Sequence, residues 1–175
     1  MEFAEDKCLV LTITRNNPRN IVKFDYHIHN YNLKKVNSAK YLGVILDSKL
    51  TFREHIDTIC KRAHSTRQFL QRTLSRCDKP TKALACTTFV RPIVEYAATV
   101  WDPHRGNQTL VKKLESVQNK AVRFTHSTWQ RQTSVSAMRC DPGWDTLQER
   151  RAWARLIMLR KISLFLVAIL HSVFP

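Results

Sequence analysis

The chain has 175 residues, of which 43% are apolar and 9% aromatic, enough for one packed domain or for the end of one domain and a second small one. Three glycines and six prolines exclude a collagen-like or low-complexity chain. The outlying property is charge, because 29 basic residues against 14 acidic residues leave a formal net charge of +15 at pH 7.

Such an excess of positive charge repels itself within one molecule and is typical of proteins whose partner is a polyanion, nucleic acid first. The alternative is a basic surface that only water covers. The basic residues follow the predicted helices: residues 53–82 hold eight basic and three acidic residues, and residues 112–161 hold eleven and four. This distribution predicts broad positive faces, which would contact phosphates without sequence preference.

The first fifty residues predict strands. Their apolar residues either form short runs or alternate with polar ones, and asparagine-rich turns separate the segments. The predicted strands cover residues 8–14, 22–28, 33–36 and 41–46. The first is expected to be buried, and the second to have one face toward water. Four short strands joined by tight turns predict an antiparallel meander.

From Thr51 onward the apolar period becomes that of helices. The predicted helices cover residues 51–74, 78–101, 107–124, 135–139 and 147–162. Pro92 lies inside the second, so we expect a kink or break near Val90. The side chains expected to point inward from the last helix are Leu147, Ala154, Ile157 or Met158, and Ile162. Strands first and helices after, without βαβ alternation, predict an α+β fold.

The cysteines and the two ends of the chain bear on the compartment. An odd number of cysteines at irregular spacing, behind an acidic N-terminus without an apolar signal core, predicts reduced thiols in the nucleus or cytoplasm and no secretion. The apolar run 162–174 is shorter than the ~20 residues that span a bilayer, so we expect no membrane partner. The five cysteines are Cys8, Cys60, Cys77, Cys86 and Cys140.

Few residues are arranged for chemistry. Cys60 and His64 share one face of a predicted helix at a spacing that can hold a metal, but the only second pair is His27 and His29 on a strand. Because zinc sites take four ligands, we do not expect a zinc site. The sequence also has no Gly-x-Ser-x-Gly nucleophile motif and no glycine-rich loop for phosphates.

Several motifs follow one another in an order that is more informative than any one of them. They are Lys40-Tyr41-Leu42-Gly43-Val44, Phe89-Val90-Arg91-Pro92-Ile93-Val94-Glu95-Tyr96-Ala97, Val100-Trp101-Asp102-Pro103, Leu114-Glu115-Ser116-Val117-Gln118 and Gly143-Trp144-Asp145-Thr146-Leu147. In this order they resemble the segment after the catalytic core in reverse transcriptases of LINE-type (non-LTR, jockey-like) retrotransposons. The resemblance covers nearly the whole chain.

The resemblance implies a C-terminal fragment of an RNA-directed DNA polymerase. Residues 1–50 would be the last strands of the palm with a primer-grip hairpin, and residues 51–175 the helical thumb. In the parent enzyme this fragment would hold primer and template against the catalytic palm. The implied partners are an RNA–DNA hybrid or primer–template duplex, and the N-terminal palm and fingers of the polymerase.

The resemblance also implies where the polymerase chemistry lies. That chemistry takes paired carboxylates holding two metal ions about 4 Å apart, and in this family one pair comes from an aromatic-x-Asp-Asp turn upstream of this region. Every aspartate here except Asp6, which follows Glu5, lacks an acidic neighbour in sequence. We therefore expect no catalytic residue, no cofactor and no metal in this chain, which would be inactive alone. The parent enzyme would bind two Mg ions upstream.

Two sets of residues are implied to contact nucleic acid. Tyr41, Leu42 and Gly43 would form the primer grip, where glycine lets the backbone approach the primer end; the alternative is a bulge in an ordinary strand. Cations on the polar sides of the first and third long helices would follow phosphates of the hybrid; the alternative is a solvated face. These cations are Lys61, Arg62, Arg67, Arg72, Arg76, Lys112, Lys113, Lys120 and Arg123.

Two further interpretations remain open. The chain could be a standalone basic nucleic-acid-binding protein, a relic of the polymerase, which predicts salt-dependent binding without the missing part. It could also be a structural or interaction module, which predicts no affinity for nucleic acid at moderate salt. Glu149, Arg150 and Arg151, close to Trp144, are predicted to pin the last helix through buried ion pairs; the alternative is contact with nucleic acid.

Overall fold

The computed structural model describes residues 4, 7–14, 24–29, 31–103, 107–128, 133–140, 143–164 and 166. The chain divides into two compact units, residues 1–55 and 56–175. Within the described residues, strands form the first unit and helices the second, which confirms the predicted α+β fold. The assignment of residues 1–50 to a palm edge and of residues 51–175 to a thumb stays a prediction.

The strands of the first unit pair two by two. Their bounds are β1 Leu9–Leu11, β2 His27–Ile28, β3 Tyr31–Asn32, β4 Lys34–Val36, β5 Ser38–Tyr41 and β6 Val44–Asp47. The pairs β2–β3 and β5–β6 are antiparallel, as predicted. β1 instead pairs in parallel with β4, so the meander was wrong for the first strand. A parallel pair needs a connection of a dozen residues or more, and residues 12–33 supply one.

The first two predicted strands are also shorter than expected. β1 is not the buried strand predicted over 8–14, because the side chains of Leu9 and Ile13 are about half exposed. Of the strand predicted over 22–28, only His27–Ile28 is extended and paired, and residues 22 and 23 lie outside the described residues.

The segment predicted as a strand over 41–46 is the closing part of a hairpin. Tyr41 pairs with Val44, and the two residues between them have positive φ, 45° at Leu42 and 86° at Gly43. Two positive φ angles define a type I′ turn, whose twist matches that of the flanking strands. The glycine therefore lies in a tight turn, and the alternative of a bulge was wrong.

The helices follow the predicted order, but the single helix predicted over 78–101 was wrong at its end, because the chain leaves the helix at Tyr96 and Ala97. Their bounds are α1 Arg53–Thr73, α2 Lys79–Ala85, α3 Arg91–Glu95, α4 Ala98–Trp101, α5 Gln108–Thr125, α6 Val135–Cys140 and α7 Leu147–Ser163, with a π-helical segment at Cys86–Val90. α5 packs against α2, α6 and α7, and α4 packs against α7. The core of the second unit therefore surrounds α5, whose side chains Leu114, Val117 and Val122 are fully buried.

The kink expected before Pro92 is a change of helix type. α2, the π-helical segment and α3 follow one another directly, and the Arg91 amide donates to the Cys86 carbonyl, five residues before it. A proline has no amide to donate, and its ring collides with the carbonyl four residues earlier in an α-helix. The wider π turn ahead of Pro92 accommodates the ring without ending the helix.

The last helix begins as predicted but buries fewer side chains. Thr146 and Glu149 form a reciprocal capping box at its start. Leu147 is buried, whereas Ile157 and Met158 are exposed, so their inward placement was wrong. Much of the apolar run 162–174 lies outside the described residues.

Candidate nucleic-acid interface

The tip of the β5–β6 hairpin presents two large side chains to solvent. Tyr41 is 65% exposed and Leu42 is 74% exposed. Leucine at a positive φ is a strained choice for this turn, where asparagine, aspartate or glycine is preferred. The hairpin thus holds an apolar side chain outward at a strained position, which is a pattern found at ligand-binding sites.

His55, in the first turn of α1, is hydrogen-bonded to the hairpin. It is buried, and its Nδ1 accepts a hydrogen bond of 3.3 Å from the amide of Ile45 in β6. This bond requires an unprotonated Nδ1. Sequence reasoning missed His55, because a single histidine at a helix start gives no signal of its partner.

Asp47, at the end of β6, joins the hairpin to the start of α1. Its carboxylate accepts from the amides of Lys49, Thr51 and Phe52 at 3.0, 3.1 and 2.8 Å, and from the Thr51 hydroxyl. Burial raises the pKa of Asp47, but these hydrogen bonds outweigh burial and hold its pKa below the ordinary value. An aspartate a few residues before a predicted helix was the available signal.

The burial of His55 makes the stability of the protein depend on pH. Burial lowers the pKa of His55 below 6.5, so the unfolded chain takes up this proton at higher pH than the folded chain does. The resulting stability is present above pH 6.5 and is lost as the pH falls through the folded-state pKa. We expect a lower free energy of unfolding at about pH 5.5 than at about pH 7.5, measured by denaturant titration.

His55→Gln should narrow this difference between the two pH values. It should not remove it, because burial and the charges of Lys120 and Arg67 also lower the pKa of His64. A His55→Gln protein with the full wild-type pH dependence would contradict the role given to His55.

In the second unit, α1 and α5 bring part of the predicted basic set together. Lys113 on α5 forms an ion pair with Asp57 on α1, and seven residues further along both helices Lys120 lies close enough to His64 to lower its pKa. These two interactions bring the stretches around Asp57 and His64 on α1 near Lys113 and Lys120 on α5. Lys61 lies four residues after Asp57 and three before His64, on the same face of α1.

We call Lys61, Lys113 and Lys120 the basic strip; all three are exposed. Arg62 and Lys112 are exposed as well, but each is turned by about 100° from its neighbour Lys61 or Lys113. The structure therefore assembles only part of the predicted cations into one strip.

The other predicted cations differ in placement. Arg72 and Arg76 are exposed on or just after the last turn of α1, and Arg123 is half-buried on α5. Arg67 was expected on the polar side of α1, but it is only 7% exposed, and its Nη1 donates to Gln71 at 2.7 Å. That placement was wrong. Arg67 follows the buried Cys60 by seven residues and Ala63 by four, so the apolar period itself placed it on the buried face.

The arginines after Glu149 are structural, as predicted. Arg150 pairs with Glu95, and Arg151 donates from Nε to Asp102 at 2.8 Å. Arg155 pairs with the same Asp102. These ion pairs tie α7 to α3 and to the residue after α4.

The metal-like spacing on α1 does not form a ligand cluster. Burial raises the pKa of Cys60 to about 11, which keeps its thiol protonated at neutral pH. Across the described ranges, no three His, Cys, Asp or Glu side chains come together as metal ligands. Within the same ranges, no helix combines the length and apolar character needed to cross a membrane.

The chain is similar to two curated transposon proteins of Drosophila melanogaster. It is 30% identical over 95 residues to the probable RNA-directed DNA polymerase from transposon X-element. The matched region is 50% of this chain and 10% of that protein. It is also 30% identical over 94 residues to the probable RNA-directed DNA polymerase from transposon BS. Here the matched region is 52% of this chain and 10% of that protein.

The chain spans about a tenth of the length of each of these relatives. No protein-family model matches the chain, and no solved structure matches it. Together with the ordered motifs, the two similarities confirm the predicted resemblance to a fragment of a LINE-type RNA-directed DNA polymerase.

Proposed function

We propose that this chain positions primer–template nucleic acid for the polymerase of which it is a part, and that it carries out no polymerisation itself. The observation that carries the proposal is the basic strip, in which Lys61, Lys113 and Lys120 lie exposed along two neighbouring helices. The similarity to RNA-directed DNA polymerases supports nucleic acid as the partner.

The length of the strip suits a nucleic-acid backbone. Lys113 and Lys120 are seven residues apart, a rise of about 10 Å along α5. One strand of a duplex carries about three phosphates over that distance. Contacts of this kind hold a duplex in register without reading its sequence, as a polymerase that copies a long template requires.

The second part of the proposal concerns the hairpin tip. We infer that Tyr41, Leu42 and Gly43 contact the primer end, where the exposed backbone of Gly43 allows close approach. The partners would be an RNA–DNA hybrid or primer–template duplex, together with the palm and fingers of the polymerase. The two Mg ions of the reaction would be bound by those upstream parts.

The proposal predicts how binding depends on salt. Each phosphate contact contributes about 0.7–0.9 to the slope of log affinity against log salt concentration. The slope is negative, and replacing Lys61 and Lys120 with glutamine should therefore reduce its magnitude by about 1.4–1.8. The measurement is fluorescence anisotropy of a labelled RNA–DNA primer–template duplex at a series of salt concentrations.

A matched control separates the strip from net charge. Arg160 and Lys161 are exposed cations on α7, so Arg160→Gln with Lys161→Gln removes the same charge elsewhere. This control should leave the slope close to that of the wild type. Equal changes in both double variants, or no change in either, would remove the basic strip from the proposal.

A further inference from the structure

The second half of α7 is uncovered. Its first half is held by the buried Leu147 and Arg151 and by the ion pairs of Arg150 and Arg155. From Arg155 to Lys161, every residue is exposed. Among the described residues, no element covers this part of the helix.

Large apolar side chains dominate the uncovered part and the position of Trp153 just before it. Trp153 is 63% exposed, and Leu156, Ile157 and Leu159 are each more than half exposed. We call these four residues the α7 surface. It borders an open groove of about 330 Å³, whose apolar walls are Ala98, Ala154, Ile157 and Trp153, with Glu95, Arg150 and Arg151 also lining it.

The charges on the second half of α7 have one sign. Arg155, Arg160 and Lys161 stand between the apolar side chains, and α7 has no acidic residue after Glu149. Asp102, the carboxylate closest to Arg155, is already paired with Arg151 and Arg155. A surface that covers this part of α7 would therefore need to supply carboxylates.

Three other occupants fit less well. A membrane interface needs a helix with one segregated polar face, whereas these cations point to different sides because successive residues turn by about 100°. Nucleic acid stacks on aromatic rings but gains little from leucine and isoleucine side chains. A second copy of a chain with net charge +15 would bring like charges together.

We propose that the α7 surface docks an acidic, amphipathic segment of a protein partner, which places apolar side chains on Trp153 and Ile157 and carboxylates beside Arg160 and Lys161. Tryptophan, methionine and arginine are enriched in the cores of protein interfaces, and α7 carries all three in this region. This proposal does not depend on the proposed contact with nucleic acid.

The test uses the full chain and a defined probe. The probe is a fluorescein-labelled helical peptide of about 18 residues with leucine at positions i, i+3, i+4 and i+7 and glutamate elsewhere. A second peptide has lysine in place of every glutamate. By anisotropy at moderate salt, the acidic peptide should bind at least about tenfold more tightly than the basic one.

Variants locate the binding on α7. Trp153→Ala should weaken binding of the acidic peptide by about tenfold or more, with an unchanged thermal unfolding temperature because this ring is exposed. Arg160→Glu combined with Lys161→Glu should reduce or reverse the preference for the acidic peptide. Leu84→Ala is the control, since Leu84 is a 68% exposed leucine on α2 and not on α7, and it should bind as the wild type does.

Four results would overturn the proposal. The first is equal affinity for the two peptides, and the second is an equal loss in Leu84→Ala and Trp153→Ala. The third is displacement of the bound peptide by a single-stranded oligonucleotide, which would assign the surface to nucleic acid. The fourth is a dimer in analytical ultracentrifugation that Trp153→Ala dissociates, which would assign it to a second copy.

Discussion

Replacing Asp102 with alanine should lower the free energy of unfolding by about 3–5 kcal/mol. Asp102 accepts a 2.8 Å hydrogen bond from Arg151 and also pairs with Arg155. Arg151 is only 1% exposed, and burial lowers its pKa. Its guanidinium therefore needs carboxylates within the protein, and it contacts Asp102 directly. Without Asp102, a buried guanidinium would lose its nearest negative charge. Denaturant unfolding followed by circular dichroism measures the effect.

A half-exposed ion pair provides the comparison. Asp57 and its partner Lys113 each expose nearly half of their side chains, so Asp57→Ala should change stability by only about 0–1 kcal/mol. A double variant, Asp102→Leu with Arg151→Met, should recover much of the loss, because well-packed apolar residues can replace a buried ion pair. If Asp102→Ala lowered the free energy of unfolding as little as Asp57→Ala, the Asp102–Arg151 ion pair would not be what stabilises the packing of α7.

Replacing Gly43 with valine should weaken binding to a primer–template duplex by about tenfold or more, through loss of the hairpin tip. Gly43 has φ of 86°, a conformation that a β-branched residue rarely adopts. The strain is about 1–2 kcal/mol or more, enough to favour another turn and displace Tyr41 and Leu42. Anisotropy with the labelled duplex measures the binding, and the free energy of unfolding measures the strain.

The second glycine with positive φ supplies the control. Gly143, in the helical unit, has φ of 63° and nothing within 4 Å of an added Cβ. Gly143→Val should therefore carry a similar backbone strain while leaving duplex binding unchanged. Equal losses of binding in the two variants would show that strain alone, and not the hairpin tip, weakens the binding.

The helices could be predicted from the sequence because local signals mark them. The apolar period of α1, the proline at the start of α2 and the turn before α7 each placed an element within a few residues of its observed bounds. The change of helix type before Pro92 followed from the geometry of proline. These features depend on neighbouring residues only.

Features that depend on distant residues were not predictable in the same way. Nothing near β1 indicates that it pairs in parallel with β4, because the pairing is decided across more than twenty residues. The apolar residues of the second half of α7 lie on several sides of the helix, so their period could not show which side would be uncovered.

The basic set was predictable in number but not in placement. A helical face can be assigned from spacing, as the burial of Arg67 shows. The approach of Lys113 to Asp57 depends on how α5 packs beside α1. No local pattern in the sequence specifies that packing, and so the basic strip could be recognised only in the folded chain.

The π-helical segment constrains how the length of this chain can vary. A π turn is an α-helix that holds one residue more than the regular repeat. Deleting one residue between 86 and 90 would let the helix continue as regular α, and the buried Val94 would stay on nearly the same side, because a π turn holds its extra residue within about one rotation. A deletion after Pro92 would instead turn every later residue by about 100°. The regular α turn would, in exchange, bring the Pro92 ring against the carbonyl four residues earlier. In related chains, loss of one residue from this segment should therefore accompany loss of the proline.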